Sequence, residues 1–370
     1  MISENLFWIA ASKPNIKAET VNKFIVYLHN NHLELKDFLN SNGSFQLNAY
    51  PDLNKILDIQ KTMNESAAVI DELKKHCIEI ISITSEFYSK RLKDNLKVKK
   101  SPPVIFAKGN KSLLNEDSVS IVGSRTASDI SLMFTDDTAR ENVKRNKVIV
   151  SGYAKGVDRQ ALDSALKYNG KSIIVLPQGI LTFKSGFRLY ESEINSGRLL
   201  IISTFFPNVK WSIPLAMARN SIIYGLAKEI FVAESNFSGG TWSGVQEGLR
   251  NNQIIFVRKP LPEETNANNK LIELGARSYS WHPDKIYEVS LSLDEHVSDL
   301  SAFKSPVDLI LECLSLTPQS ARSIKDSLKL NWSTNKITSI LKNSNKAEAI
   351  KTKPLKFVKR ESQQMEMFLK

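Results

Sequence analysis

Cysteine is nearly absent: Cys77 and Cys313 are the only two in 370 residues, far apart and outside any Cys-x-x-Cys or Cys/His grouping. A disulfide framework and a structural zinc site are therefore excluded, and a reducing compartment is expected. Long apolar runs are missing too. No stretch approaches the ~18 consecutive apolar residues that a membrane span needs. The first twenty residues lack a basic segment followed by an apolar one, so the expectation is a soluble, cytoplasmic protein with no membrane partner. Internal repeats and low-complexity tracts are also lacking. Asp and Glu fall short of Lys and Arg, 39 against 50, leaving a net charge of +11. That imbalance attracts anions and favours nucleic acid as a partner, although a solvated basic surface would show the same numbers.

What is present is apolar material for a sizeable core, 42% of residues, well above the level of a disordered chain. The length suits two or three domains. Residues 1–75 carry helical periodicity, as in Asn22 to His29 and Leu53 to Leu73, around a loop-like stretch from Asn40 to Pro51. From Cys77 onward short apolar runs alternate with helical patterns: Val119–Val122, Val148–Val150, Ile173–Leu176, Leu199–Ile202, Ile230–Ala233 and Ile254–Val257. Runs without in–out alternation imply strands covered on both faces, the pattern of a doubly wound, mostly parallel α/β sheet. This places the main domain at 76–285 and a polar linker at 286–303. In 304–370, three short helical patterns precede a basic segment from Lys351 to Arg360, which suits a winged-helix-like module.

Four segments carry candidate chemistry. Val119-Ser-Ile-Val-Gly-Ser-Arg runs from a strand into Gly123, Ser124 and Arg125, with a helix expected to start near Ser128-Asp129. A glycine there admits a phosphate, the helix N-terminus offers unpaired N–H groups, and Arg125 can fork onto phosphate oxygens. The next strand ends in Ser151-Gly152-Tyr-Ala-Lys155-Gly-Val-Asp158, a second basic glycine turn. Asp158 reads as a dipole partner or turn cap, and Tyr153 as an aromatic able to stack a base. Arg219 and Asn220 interrupt an apolar helix and need polar partners if buried. Ser238-Gly239-Gly240-Thr241 forms a further turn before a helix that carries Glu247. No carboxylate pairing suggests two-metal work, so neither metal nor cofactor is called for.

In this order and spacing the segments resemble the DprA/Smf (DNA-processing protein A) family: IVGSR, VSGYAKGVD, GKSIIVLPQGI, ARNSIIYGLA and the strand with SGGT, over about 80–258. The resemblance implies a Rossmann-like domain that binds single-stranded DNA and helps to load a RecA-type recombinase, and it implies a homodimer. Arg125 and Lys155 carry over as phosphate contacts, and Arg219 and Asn220 as the pair beside the pocket. The chain departs from the family at Leu162, where a His is usual, at Leu181 for an acidic residue, at Ser221 for a basic one, and at Val257-Arg-Lys-Pro for Val-Pro-Gly. A second resemblance, to lysine-decarboxylase-like nucleotide phosphoribohydrolases, rests on Arg219, Glu247 and the partial match Gly239-Gly240-Thr241, and implies nucleotide hydrolysis with Arg219 and Glu247 as the catalytic pair.

Overall fold

The computed structural model describes residues 4–40, 63–283 and, in the C-terminal part, 310, 314, 318–328, 333–344, 347–350, 352 and 355–359. The chain divides into two compact units, 1–283 and 284–370. The expected linker at 286–303, the apolar pattern at 53–62 and most of the helical pattern at 307–314 lie outside the described residues.

The first unit is built on a nine-stranded sheet in the order β1-β2-β6-β5-β4-β3-β7-β8-β9. The six apolar runs read from the sequence are β3 (Ser118–Val122), β4 (Val148–Ser151), β5 (Ser172–Val175), β6 (Leu199–Ser203), β7 (Glu229–Val232) and β8 (Ile254–Arg258). These six are mutually parallel. A short β9 (Arg277–Tyr279) adds in parallel at one edge, while β1 (Glu79–Ser82) and β2 (Val104–Gly109) extend the other edge antiparallel. Strand order runs outward through β4, β5 and β6 on one side of β3 and through β7, β8 and β9 on the other. The reversal between β3 and β7 leaves a crevice at their carboxyl ends, the place where open α/β sheets take ligands.

Both faces are apolar because successive strand residues point to opposite sides and both sides are covered. Val148 and Val150 face one layer and Ile149 the other. One face carries α6 (Asp129–Lys144) and α7 (Val157–Lys167), together with the N-terminal helices α1 (Glu4–Ala11), α2 (Ala18–Asn30), α3 (Leu35–Asn40) and α4 (Met63–Lys75). The N-terminal helices pack Phe7, Trp8, Phe24 and Leu73 into the cluster that also holds Val104, Phe106 and Leu199. Between β5 and β6 run two short helices, α8 (Lys184–Leu189) and α9 (Glu191–Asn195). The opposite face is covered by α5 (Lys90–Lys100), α10 (Ile213–Leu226) and α11 (Gly240–Arg250), with α12 (Asn268–Glu273) following β8. Leu162, at the position where the resemblance leads one to expect His, is buried in the core.

The second unit contains α13 (Ala321–Ser327) and α14 (Thr334–Asn343), capped by Ser320 and Ser333. A three-stranded antiparallel sheet, β10 (Gln319–Ser320), β12 (Lys356–Lys359) and β11 (Ala347–Ile350), accompanies them. Its core is formed by Ile310, Leu314, Ile324, Ile337, Leu341 and Phe357.

Candidate nucleic-acid interface

The crevice between β3 and β7 is a cleft of about 360 Å³ lined by Gly123, Ser124, Arg125 and Thr126 on one wall and Asn236, Ser238, Gly239, Gly240 and Thr241 on the other. Asp158, Arg219, Asn220 and Tyr224 lie toward its floor. A neighbouring cavity of about 370 Å³ shares Arg125, Ala154 and Arg219 with it, and adds Gly152, Tyr153, Lys155, Gln178, Phe183 and Trp211. Arg125 and Lys155 are exposed, and neither forms an ion pair among the described residues. Two unspent cations thus stand at the mouths of adjoining cavities. The candidate residues outside the second resemblance therefore converge, with one exception. Ser151 is buried and donates its hydroxyl to the Ile121 carbonyl at 3.0 Å, tying β4 to β3 behind the site.

Arg219 is 3% exposed and meets the carboxylate of Asp158 at 3.5 Å, so the polar partner that its burial demanded is a side chain of the protein. Burial pushes the Asp158 carboxyl up and the Arg219 guanidinium down from their ordinary values, and each opposes the shift in the other. Asp158 also accepts the Ala154 N–H, which closes its own turn. The guanidinium runs directly over Gly152, where a Cβ would sit 1.1 Å from an Arg219 nitrogen, so a larger residue there would push the Arg219 head group aside. The Nε of Arg219 and the hydroxyl of Tyr224 are buried without hydrogen-bond partners. Asn220 donates to the Gly240 carbonyl at 3.2 Å and links α10 to the start of α11.

Three expectations are corrected here. The start of α6 falls at Asp129 with Ser128 as its cap, but it is not free for a phosphate. Glu234, just past β7, accepts from the Ser128 N–H at 2.9 Å, the Ser128 hydroxyl at 2.6 Å and the Ser131 hydroxyl at 2.9 Å. Tyr153 does not offer an open stacking face: the Arg159 guanidinium lies 4.0 Å over its ring, and Phe183 and Tyr190 meet it edge-on. Glu247 does not join Arg219. It lines a separate notch and pairs with Lys100 of α5.

Sequence reasoning missed the Glu234 plug, whose signal was an acidic residue directly behind a strand next to the Gly-Ser-Arg turn. It also missed Trp211 and Phe237, 49% and 64% exposed beside the two cavities. The departure at Val257-Arg-Lys-Pro has a structural reason. Arg258 is wholly buried, donates to the Ala233 carbonyl and the Ser131 hydroxyl, and pairs with Glu264, which fixes the end of β7 against the start of α6. Helix α11 is among those whose starts at the cleft carry no side-chain cap. It begins on Gly239 at φ +95° with no side chain capping it, so its first N–H groups face the cleft.

A cleft at the switch point of a doubly wound sheet, walled by two glycine turns, an uncapped helix start and two unpaired cations, belongs to a Rossmann-like fold and has the chemistry that suits an anion. The profile of the DNA recombination-mediator protein A family matches residues 79–290, more than half of the chain. The chain belongs to that family.

Among curated relatives, DNA processing protein DprA of Streptococcus pneumoniae is 32% identical over 162 residues, covering 42% of this chain and 55% of that protein. The Bacillus subtilis DNA processing protein DprA is 25% identical over 237 residues, 62% of this chain and 77% of that protein. The match thus spans little more than half the length of the pneumococcal relative. The X-ray structure of DNA processing protein A from Streptococcus pneumoniae superposes with a TM-score of 0.61 at 24% identity, covering 78% of this chain and 98% of that one, a likeness of fold. Among the described residues no group of acidic, His and Cys side chains could hold a metal ion, and no helix is long and apolar enough to cross a membrane.

Proposed function

We propose that this protein binds single-stranded DNA in the cytoplasm by gripping successive phosphates at the switch-point cleft. The single observation that carries the reading is the meeting of Arg125 and Lys155, both exposed and unpaired, with the uncapped start of α11. Guanidinium and ammonium supply charge, and helix N–H groups supply directional donors, which together suit a phosphate diester. Trp211 and Phe237 at the rims provide aromatic faces for unpaired bases, which a duplex keeps stacked within itself.

The mode of action is recognition without turnover. The single carboxylate lining the cleft, Asp158, is held by Arg219, and Glu247 lies outside it. Through this binding the protein assists a RecA-type recombinase, in transformation or in handling foreign DNA, and works as a homodimer. The C-terminal unit, with α14 beside a small basic sheet, acts as a winged-helix module that adds modest duplex or protein contacts. The test is anisotropy titration of the purified protein with single-stranded and duplex oligonucleotides, alongside a base-release assay on nucleoside monophosphates. Preference for single strands without base release supports the reading. Base release, or equal affinity for the duplex, overturns it.

A further inference from the structure

A second cationic surface lies on α5, away from the two cavities at the sheet's carboxyl edge. Its sequence, KRLKDNLKVKK, holds six cations against Asp94. Arg91 is tied to Asp117 and Lys100 to Glu247, while Lys97 and Lys99 are exposed. Lysines at a helix C-terminus also complement the macrodipole, which by itself would explain their number. Two further observations exceed that explanation.

The first is continuity with the cleft. Asn220 and Tyr224 line both the cleft and a narrow notch, and the notch also takes in Ser221, Glu247 and Leu96 of α5. One residue beyond Leu96, Lys97 and Val98 line a groove of about 530 Å³ between α5 and α2. Its walls are apolar, from Ile25, Val26, Ile83 and Val98, its cationic groups are Lys93 and Lys97, and no Asp or Glu lines it. Apolar walls with an anion-seeking rim suit bases and phosphates together. Of the acids nearby, Glu19 is held by Lys23 and Glu247 by Lys100. Burial pushes the Lys93 ammonium down from its ordinary value, so an arriving anion would favour its charge.

The second is the backbone. Lys97 sits at φ +55°, ψ −177°, a conformation that essentially only glycine adopts without cost, and it breaks α5 at the junction between notch and groove. A lysine held there forgoes the stability that glycine would give.

We propose that the single strand, having filled the cleft, continues over the broken end of α5 at Lys97 and Lys99 into the α2–α5 groove. The inference rests on the single-strand reading above. In this arrangement α5 supplies, beside Ser221, the positive charge that α10 lacks at that position.

Length dependence separates the two ideas. Anisotropy would be measured on the full chain with oligothymidylates of about 4 and about 16 nucleotides, spanning the usual range of single-strand site sizes. Lys97→Gln with Lys99→Gln should weaken the longer strand about tenfold, flatten its salt slope by about 1.4, and leave the shorter one within twofold. Val26→Trp, which fills the groove from an exposed position, should cost the longer strand alone. Lys97→Gly should hold or raise Tm while weakening the longer strand, a pattern that loss of fold cannot produce. Equal losses on both lengths, or none on the longer, overturn the inference and leave the cleft standing. A parent protein that binds neither oligonucleotide overturns the single-strand reading itself.

Discussion

Two turns face each other across the cleft, and their electrostatics are opposite. The turn after β3 carries the sharper sequence signal, Gly123-Ser124-Arg125, yet the helix it leads into is already capped by Ser128 and covered by the Glu234 carboxylate. The turn after β7, Ser238 to Thr241, looks weaker in sequence and opens onto a helix start that no side chain fills. Both helices have the same partial positive end. What differs is whether the fold has already spent it. On the β3 side the anion is internal and the ligand contact passes to Arg125. On the β7 side the backbone itself remains the donor.

The comparison can be broken most severely at Asp158. Asn at this position leaves Arg219 buried and uncompensated, and about 3–5 kcal/mol of stability should be lost in urea unfolding. Added inorganic phosphate should then raise Tm more in the variant than in the parent, because an external anion replaces the missing carboxylate. Arg125→Ala comes next. Its exposed guanidinium contributes to binding and not to the core, so about 1.5–3 kcal/mol of single-strand affinity should disappear, the salt slope should flatten by about 0.7, and Tm should hold. Glu234→Ala reverses that pattern. It strands the Ser128 N–H at a cost of about 1–3 kcal/mol in stability, while single-strand affinity stays within a few-fold. An affinity loss as large as that of Arg125→Ala would mean that the two turns do not differ as described. Glu247→Gln is the mildest. Releasing Lys100 from an exposed pair should raise affinity by less than about threefold, since such pairs contribute little.

The sheet was legible in the sequence because strands buried on both faces show as uninterrupted apolar runs, and all six runs became strands. The glycine turns were legible as well: Gly123 stands against the Glu234 carbonyl, and Gly152 and Gly240 lie against the side chains of Arg219 and Asn220. Who pairs with whom was not. Asp158 and Arg219 lie 61 residues apart and Ser128 and Glu234 lie 106 apart. Nothing local in either segment states that two strand ends will bring them together. Tyr153 illustrates the same limit from the other side: an aromatic in a glycine turn reads as a platform, but only the fold shows that Arg159 covers it.

The pairing of β2 with β6 has a consequence for how the chain is made. Phe106 lies opposite Ser203 and Gly109 opposite Leu200, so the antiparallel edge cannot close until about a hundred further residues have been synthesised. The N-terminal helices rest on that same edge through Phe106 and Leu199. They leave the ribosome well before β6, yet Leu199 of β6 belongs to the core that covers their apolar faces. Contacts of such sequence separation slow folding and lengthen the exposure of apolar surface. Order of synthesis and order of assembly therefore differ here: the helices that precede the sheet are completed only by a strand made much later.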